Sequence, residues 1–165
     1  MARTIGVYIN ADDIKRSSLC SDLEAVKAEE LREEMIEKGE DFTFETVLFT
    51  DRNLKLLKKA KEKGYFLRCI YVLTSDYKIN IAGVSMRESM GGHGVSEEKI
   101  KSGYYKALDL ISELVKICDI VHIYDNTNVP FRIFKKRKEI YFHWENKYWG
   151  YSGIEKLTGI SEYSN

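Results

Sequence analysis

Polar residues of the types used in catalysis follow four short apolar runs of this 165-residue chain. The runs end at Ile9, Phe44, Leu73 and Tyr124, and the residues that follow them are Asp12, Glu45, Thr46, Thr74, Asp125 and Asn126. In an open α/β sheet, ligands bind in the crevice beyond the carboxyl ends of the strands. The pattern therefore predicts one shared site at a sheet edge.

Two carboxylates in this set have distinct chemical uses. Asp12 stands between a strand and a helical segment, where it can take a proton from a substrate hydroxyl; taken alone, a helix cap explains it better. Glu45 interrupts an apolar run, and a buried unpaired carboxylate is costly. We therefore expect Glu45 to face a polar cavity, with an edge-strand glutamate facing water as the alternative.

The remaining candidates are weaker by themselves. His93 lies within a glycine-rich stretch, residues 91–94, which suits either a mobile lid or a plain turn. Arg87, about one helical turn earlier, could bind a phosphate with its planar guanidinium or remain solvated. Asp125 and Asn126 have the composition of a turn, and only their position after a strand makes them candidates.

Composition excludes several classes of protein. The formal charge is zero and 44% of residues are hydrophobic, so the balance implies neither a basic nucleic-acid-binding protein nor an acidic tail. No stretch approaches the roughly 20 apolar residues of a membrane span, and no signal peptide is recognisable. The three cysteines are far apart, which argues against a disulfide framework or a zinc site. A cytoplasmic protein without membrane or nucleic-acid partners is expected.

The periodicity of apolar residues predicts an α/β fold. Helical spacing marks Cys20–Lys38, Asp51–Lys63, Tyr77–Met90 and Glu97–Cys118, the first two closed by Gly39 and Gly64. The runs between them are typical of parallel strands covered by helices on both faces. After Pro130, alternation of apolar and polar residues predicts an antiparallel hairpin. We expect one domain over 1–165, with a core over 1–128 and a hairpin and tail over 129–165.

Several of these pieces, taken in order, resemble the zeta-toxin family of P-loop kinases. The matching pieces are Tyr8–Ile14, Phe42–Thr46, Gly64–Tyr65, Gly91–His93 with Val95 and Glu97–Glu98, and Tyr124–Asn126. The resemblance implies a three-layer fold that moves the γ-phosphate of ATP, with Mg²⁺, onto a hydroxyl. In characterised toxins the acceptor is the sugar of UDP-N-acetylglucosamine, and an antitoxin protein blocks the site. A nucleotide-sugar and an antitoxin are thus the implied partners.

The resemblance also implies roles by position. Asp12 matches the general base on the acceptor hydroxyl, and Glu45 and Thr46 match residues that contact the acceptor. We place Thr74 with them because it also follows a strand. Arg87 matches an arginine near the lid, and we place it with His93, Asp125 and Asn126 on the ATP side.

Two parts of the family pattern are not found in these 165 residues. No G-x-x-x-x-G-K-[ST] loop occurs, and Gly83 and Gly103 stand where the family has arginines. Without that loop the β- and γ-phosphates lose their cradle and Mg²⁺ loses a hydroxyl ligand. We therefore expect a truncated or inactive kinase that binds neither ATP nor Mg²⁺ by itself.

Two alternatives stay open: a non-catalytic interaction module, for instance an antitoxin decoy, and an active kinase completed by an N-terminal segment. The absent loop also removes the central strand of a family-type sheet, and an open gap would expose unpaired backbone groups. We expect Phe42–Val47 and Phe66–Leu73 to pair directly, or another segment or chain to fill the gap, with self-association as one outcome.

Overall fold

The computed structural model describes residues 5–10, 21–48, 50–90 and 94–164. Within these ranges the elements in chain order are β1 (Val7–Ile9), α1 (Ser21–Lys38), β2 (Phe42–Phe44), α2 (Arg52–Glu62), β3 (Arg68–Leu73), α3 (Tyr77–Ser89), α4 (Glu97–Ile117), β4 (Ile120–Asp125), β5 (Phe131–Arg137), β6 (Ile140–His143) and α5 (Tyr151–Thr158). The chain is α/β, as the periodicity predicts, and each of the four predicted helices is present.

The chain divides into two compact units. An N-terminal unit comprises Met1–Val47 and Lys58–Tyr65, and a C-terminal unit comprises Leu48–Leu57 and Phe66–Asn165. Each unit has its own sheet: β1 and β2 form a two-stranded sheet, and the other described strands form a four-stranded sheet in the order β3-β4-β5-β6.

The N-terminal unit is built on a parallel strand pair and the helices that follow it in sequence. Val7 pairs with Phe42 and Ile9 with Phe44. Gly6 has φ +65, and a Cβ there would lie 1.8 Å from the Asp41 carbonyl oxygen, so only glycine fits this approach. Lys63 reaches Glu37 on α1 at 2.8 Å, an exposed ion pair of small energetic weight.

The four-stranded sheet of the C-terminal unit is mixed. β3 and β4 are parallel, while β4–β5 and β5–β6 are antiparallel. The predicted hairpin after Pro130 corresponds to the antiparallel pair of β5 with β6. The predicted parallel pairing is present in part: β1–β2 and β3–β4 are parallel, but these pairs belong to two different sheets among the described strands. Of the two arrangements expected around the missing strand, direct pairing of β2 with β3 is not observed. β2 has only three residues and takes its ladder bonds from β1.

Strand β4 has two chemically different sides. Val121 and Ile123 are fully buried, whereas Ile120, His122 and Tyr124 are half-buried. We call the side of the four-stranded sheet that carries these last three residues the open face. The other side faces the apolar core, whose fully buried members include Ile111, Val115, Val121, Ile123, Ile133, Phe134 and Ile154. Alternation with a period of two therefore divides β4 between core and open face.

A lysine from the sheet closes the carboxyl end of α4. Lys136 of β5 is 5% exposed, and its Nζ donates to the Val115 carbonyl oxygen at 2.6 Å. The last carbonyls of a helix lack partners within the helix, and a cation there also complements the helix dipole. This contact fixes α4 to the buried side of the sheet.

Helix ends follow the predicted glycines. Gly39 and Gly64 have φ of +71 and +87, the left-handed conformation that commonly ends a helix. Ser96 precedes α4 and has the residue type of a helix cap, but its side chain makes no capping hydrogen bond; Ile100 N–H donates to the Ser96 carbonyl instead. No helix in the described ranges is long and apolar enough to cross a membrane.

Two glycines give opposite stability predictions. Gly83 lies inside α3 with open space where a Cβ would be, so Gly83→Ala should raise the free energy of unfolding by about 0.5–1 kcal/mol. Gly39 also has open space but a φ of +71, so Gly39→Ala should lower it by about 1 kcal/mol. Urea denaturation measures both. Equal effects of the same sign would show that backbone conformation does not decide these positions.

Candidate functional site

The carboxyl ends of β1 and β2 coincide because these strands are parallel and in register. Ile9 lies opposite Phe44, so Asn10 and Glu45 follow at the same edge of the two-stranded sheet. Asn10 donates from Nδ2 to the Tyr8 hydroxyl oxygen at 3.2 Å. This edge is the part of the predicted site that the N-terminal unit contains.

Glu45 and Thr46 are exposed and lie just beyond β2. The prediction that Glu45 faces a polar cavity is wrong: the side chain meets solvent, as in the alternative. The reason is that the apolar run is not buried, since Val47 is 68% exposed and Phe42–Phe44 are only half-buried. A solvated carboxylate needs no polar partner to offset burial, and it can still contact an acceptor.

Thr74, directly after β3, forms hydrogen bonds through both its hydroxyl and its carbonyl group. The hydroxyl lies 2.9 Å from Asn80 Oδ1 and 3.1 Å from the Asp76 carbonyl oxygen, so it donates to one of the two. The Thr74 carbonyl accepts from the Tyr104 hydroxyl of α4 at 2.8 Å. These bonds connect the end of β3 to both α3 and α4.

Tyr104 keeps its proton at neutral pH. Burial, reinforced by the carboxylates of Asp76 and Asp125 and by Tyr105, raises the pKa of Tyr104 to about 12. Its hydroxyl is therefore a neutral donor, as the bond to the Thr74 carbonyl requires. Nothing in the local sequence distinguishes Tyr104 from a core tyrosine.

Asp125 ends β4 and is 2% exposed. Its Oδ1 accepts from the Thr127 amide at 3.0 Å and from the Thr127 hydroxyl, and its Oδ2 accepts from Asn146 Nδ2 at 2.8 Å. Both carboxylate oxygens thus bind protein donors. Asn126 next to it is exposed and uses its backbone N–H on the Leu73 carbonyl at 2.8 Å.

Asn146 is the residue of this cluster that sequence reasoning missed. Besides donating to Asp125, it accepts from the Tyr148 and Trp149 amides at 2.8 and 2.9 Å, which folds the segment after β6. Thr127 similarly accepts from the Ser75 amide at 2.9 Å and so joins the ends of β4 and β3. Asn146 is far from Asp125 in sequence, and no local pattern signals the contact.

The structure therefore brings Thr74, Asp125 and Asn126 together at one sheet end. Arg87 is exposed in the last turn of α3, and its Nε donates to the Gly83 carbonyl at 3.4 Å. With a rise of about 1.5 Å per residue, it lies roughly 16 Å along the helix from Asp76 and does not join that cluster. Asp12 and His93 lie outside the described residues.

The described residues do not fit a magnesium site. No group of three or more His, Cys, Asp or Glu side chains within the described ranges is placed to hold a metal ion. The strand-end carboxylate, Asp125, is buried and already accepts three hydrogen bonds.

Comparison with known proteins identifies the family. A family model described as Zeta toxin matches residues 7–139, which is well over half of the chain. The chain belongs to the zeta-toxin family. The zeta-toxin match includes β1 to β5 and ends just before β6.

One curated relative is an uncharacterized protein of Haemophilus influenzae. It is 30% identical over 63 residues, which cover 38% of this chain and 45% of that protein. This zeta-toxin chain thus aligns with less than half the length of the relative. No solved structure matches the chain.

Asp125 and Asn126 provide a matched pair of variants. Asp125→Ala leaves the half-buried donors of Thr127 and Asn146 without their acceptor, so the free energy of unfolding should fall by about 1–3 kcal/mol. Asn126→Ala removes an exposed side chain and should change it by less than about 0.5 kcal/mol. Urea denaturation followed by circular dichroism measures both. A neutral Asp125→Ala would show that the network does not hold the strand end.

Proposed function

We propose that this chain is the acceptor-binding part of a kinase that phosphorylates a hydroxyl group, and that the chain by itself does not transfer phosphate. Family membership over residues 7–139 carries the proposal, because it aligns the chain with kinase-like proteins. The proposed acceptor is a nucleotide-sugar of the UDP-N-acetylglucosamine type, and the proposed location of the protein is the cytoplasm.

The acceptor side rests on Asp12, Glu45, Thr46 and Thr74. Asp12 is proposed as the general base that takes the proton from the attacking hydroxyl. Glu45 and Thr46 supply a carboxylate and a hydroxyl at a sheet edge, and both are exposed. A carboxylate accepts hydrogen bonds from vicinal hydroxyls of a sugar, and charge-assisted bonds of this kind are stronger than neutral ones. Thr74 is proposed as a further acceptor contact, although its own hydroxyl is engaged by α3.

The proposal does not assign ATP binding to this chain alone. Phosphate binding in P-loop kinases depends on backbone N–H groups of the glycine-rich loop and on its lysine. The sequence has no such loop, and Asp125 is occupied by Thr127 and Asn146. Arg87 is exposed in α3 and offers a single guanidinium, whose Nε already donates to the Gly83 carbonyl.

Calorimetry tests the missing ATP side. Titration of the purified chain with ATP and Mg²⁺ should give no saturable heat, because nothing in the sequence replaces the loop that cradles the β- and γ-phosphates. The same titration with a non-hydrolysable analogue separates binding from turnover. A micromolar dissociation constant that persists with the analogue would contradict the proposal that this chain is inactive.

Saturation-transfer NMR tests the acceptor side independently. UDP-N-acetylglucosamine should give a transfer signal with the unmodified chain, and Glu45→Gln should reduce it several-fold because a neutral amide accepts a weaker hydrogen bond. Glu62→Gln, an exposed glutamate at the end of α2, is the matched control and should leave the signal unchanged. Equal signals from both variants would place sugar binding away from Glu45.

A further inference from the structure

The open face of the four-stranded sheet carries aromatic rings in stacked pairs. His122 and Tyr124 of β4 stack with their planes 10° apart and ring centroids 6.4 Å apart. Phe142 of β6 and Trp144 just after it stack at 19° and 6.2 Å. The register places His122 opposite Lys135, and Lys135 opposite Phe142. All four rings are half-buried, so each retains accessible surface.

Cations lie between and over these rings. The Arg132 guanidinium is 4.5 Å from the centre of the Trp144 ring, and Lys135 Nζ is 5.4 Å from that of Phe142. Arg68 of β3 and Arg137 of β5 face the same side, because each is paired with Ile120 on the open face. A guanidinium stacked on an indole presents a flat surface that is both cationic and aromatic.

The cations of the open face lack a carboxylate in ion-pair contact within the described part of the chain. None of Arg68, Arg132, Lys135 and Arg137 forms an ion pair within the described ranges. Arg132 Nε is moreover buried without a hydrogen-bond acceptor there. Although the formal net charge of the chain is zero, positive charge is concentrated on the open face. This face therefore complements a polyanion.

The pKa of His122 responds to the same positive charges. Burial lowers the pKa of His122, and the nearby charges of Arg132, Lys135 and Arg68 lower it further. These cations approach from the strands on both sides of β4, and Tyr124 stacks along the same strand. The imidazole is therefore neutral at pH 7, and an anion bound on this face would favour its protonation.

The width of the open face and its arrangement of cations and rings favour one class of anionic ligand over others. Its cations are spread over β3 and β5 and its rings over β4 and β6, and four strands at about 4.8 Å spacing span roughly 14 Å. A mononucleotide has a single base and would leave one of the two ring pairs uncovered. A duplex keeps its bases stacked inside, so it cannot use the rings. A single strand presents phosphates and unstacked bases in alternation, which matches interleaved cations and rings.

We propose that the open face binds single-stranded nucleic acid, with bases stacking on the His122–Tyr124 and Phe142–Trp144 pairs and phosphates contacting Arg68, Lys135 and Arg137. This departs from the expectation drawn from total charge that nucleic acid is not a partner. It requires neither ATP nor an acceptor sugar, so it stands apart from the proposed kinase function.

Fluorescence anisotropy with labelled oligonucleotides of about 12 nucleotides tests the proposal, a length within the range that single-strand binding folds contact. Oligo-U and oligo-dT should both bind saturably to the full chain, and their ratio shows whether the 2′-hydroxyl matters. An abasic strand with the same phosphates should bind about tenfold or more weakly, because stacking is lost. Equal binding of the abasic strand would overturn the stacking role of the rings.

Charge variants test the location of the site. Lys135→Gln combined with Arg137→Gln should weaken oligo-U binding about tenfold at about 0.1 M salt and reduce the slope of log K against log salt by roughly one to two. Lys106→Gln combined with Lys156→Gln removes the same charge from exposed positions on α4 and α5 and is the matched control. Its effect should be less than about twofold. Equal losses would mean that only net charge matters and would overturn the proposal.

NMR titration of His122 provides a readout that does not depend on affinity. Its pKa should rise when oligo-U is added, and in the free chain it should rise in the Lys135→Gln variant, because a nearby positive charge is removed. Polyglutamate should neither shift this pKa comparably nor displace oligo-U at equal charge. Displacement by polyglutamate, or absence of saturable single-strand binding to the unmodified chain, would overturn the proposal.

Discussion

The pairing of β4 with strands on both sides is the constraint on which the C-terminal unit depends. β4 takes parallel ladder bonds from β3 and antiparallel bonds from β5. Because side chains alternate along a strand, this double pairing fixes which residues enter the core and which do not. A slip of one residue would move His122 into the core and Ile123 onto the open face. The fully buried Val121 and Ile123 make that slip costly.

The buried side of the sheet uses its polar groups for structure. The Asp125 carboxylate accepts hydrogen bonds from Thr127 and Asn146, and the Lys136 ammonium donates to a carbonyl in the last turn of α4. Each of these groups is nearly inaccessible to solvent, and burial without partners would cost several kcal/mol. Their hydrogen bonds offset that cost and fix the local structure. The bonds of Asp125 hold the end of β4 and the segment after β6, and the bond of Lys136 holds the end of α4. A strand-end carboxylate is therefore not by itself a sign of chemistry.

Local features of this fold could be predicted from sequence, and long-range ones could not. Gly39 and Gly64 end helices because a left-handed residue is required at that point, and alternation after Pro130 is visible without any partner strand. The division into two sheets depends instead on which strand β2 pairs with. The exposure of Glu45 depends on the incomplete burial of the apolar run that it follows. The contact between Asn146 and Asp125 joins residues about twenty positions apart. Strand pairing and buried hydrogen bonds of this kind leave no periodic signal.

The arrangement of charge on the open face has an energetic consequence. Cations held on one sheet face repel one another, and in this chain no ion pair within the described ranges relieves that repulsion. The contacts of Arg132 with Trp144 and of Lys135 with Phe142 offset part of it, at about 0.5–1 kcal/mol each for exposed pairs. A polyanion bound on the open face would relieve the remaining repulsion, so binding of the proposed ligand should also stabilise the folded chain.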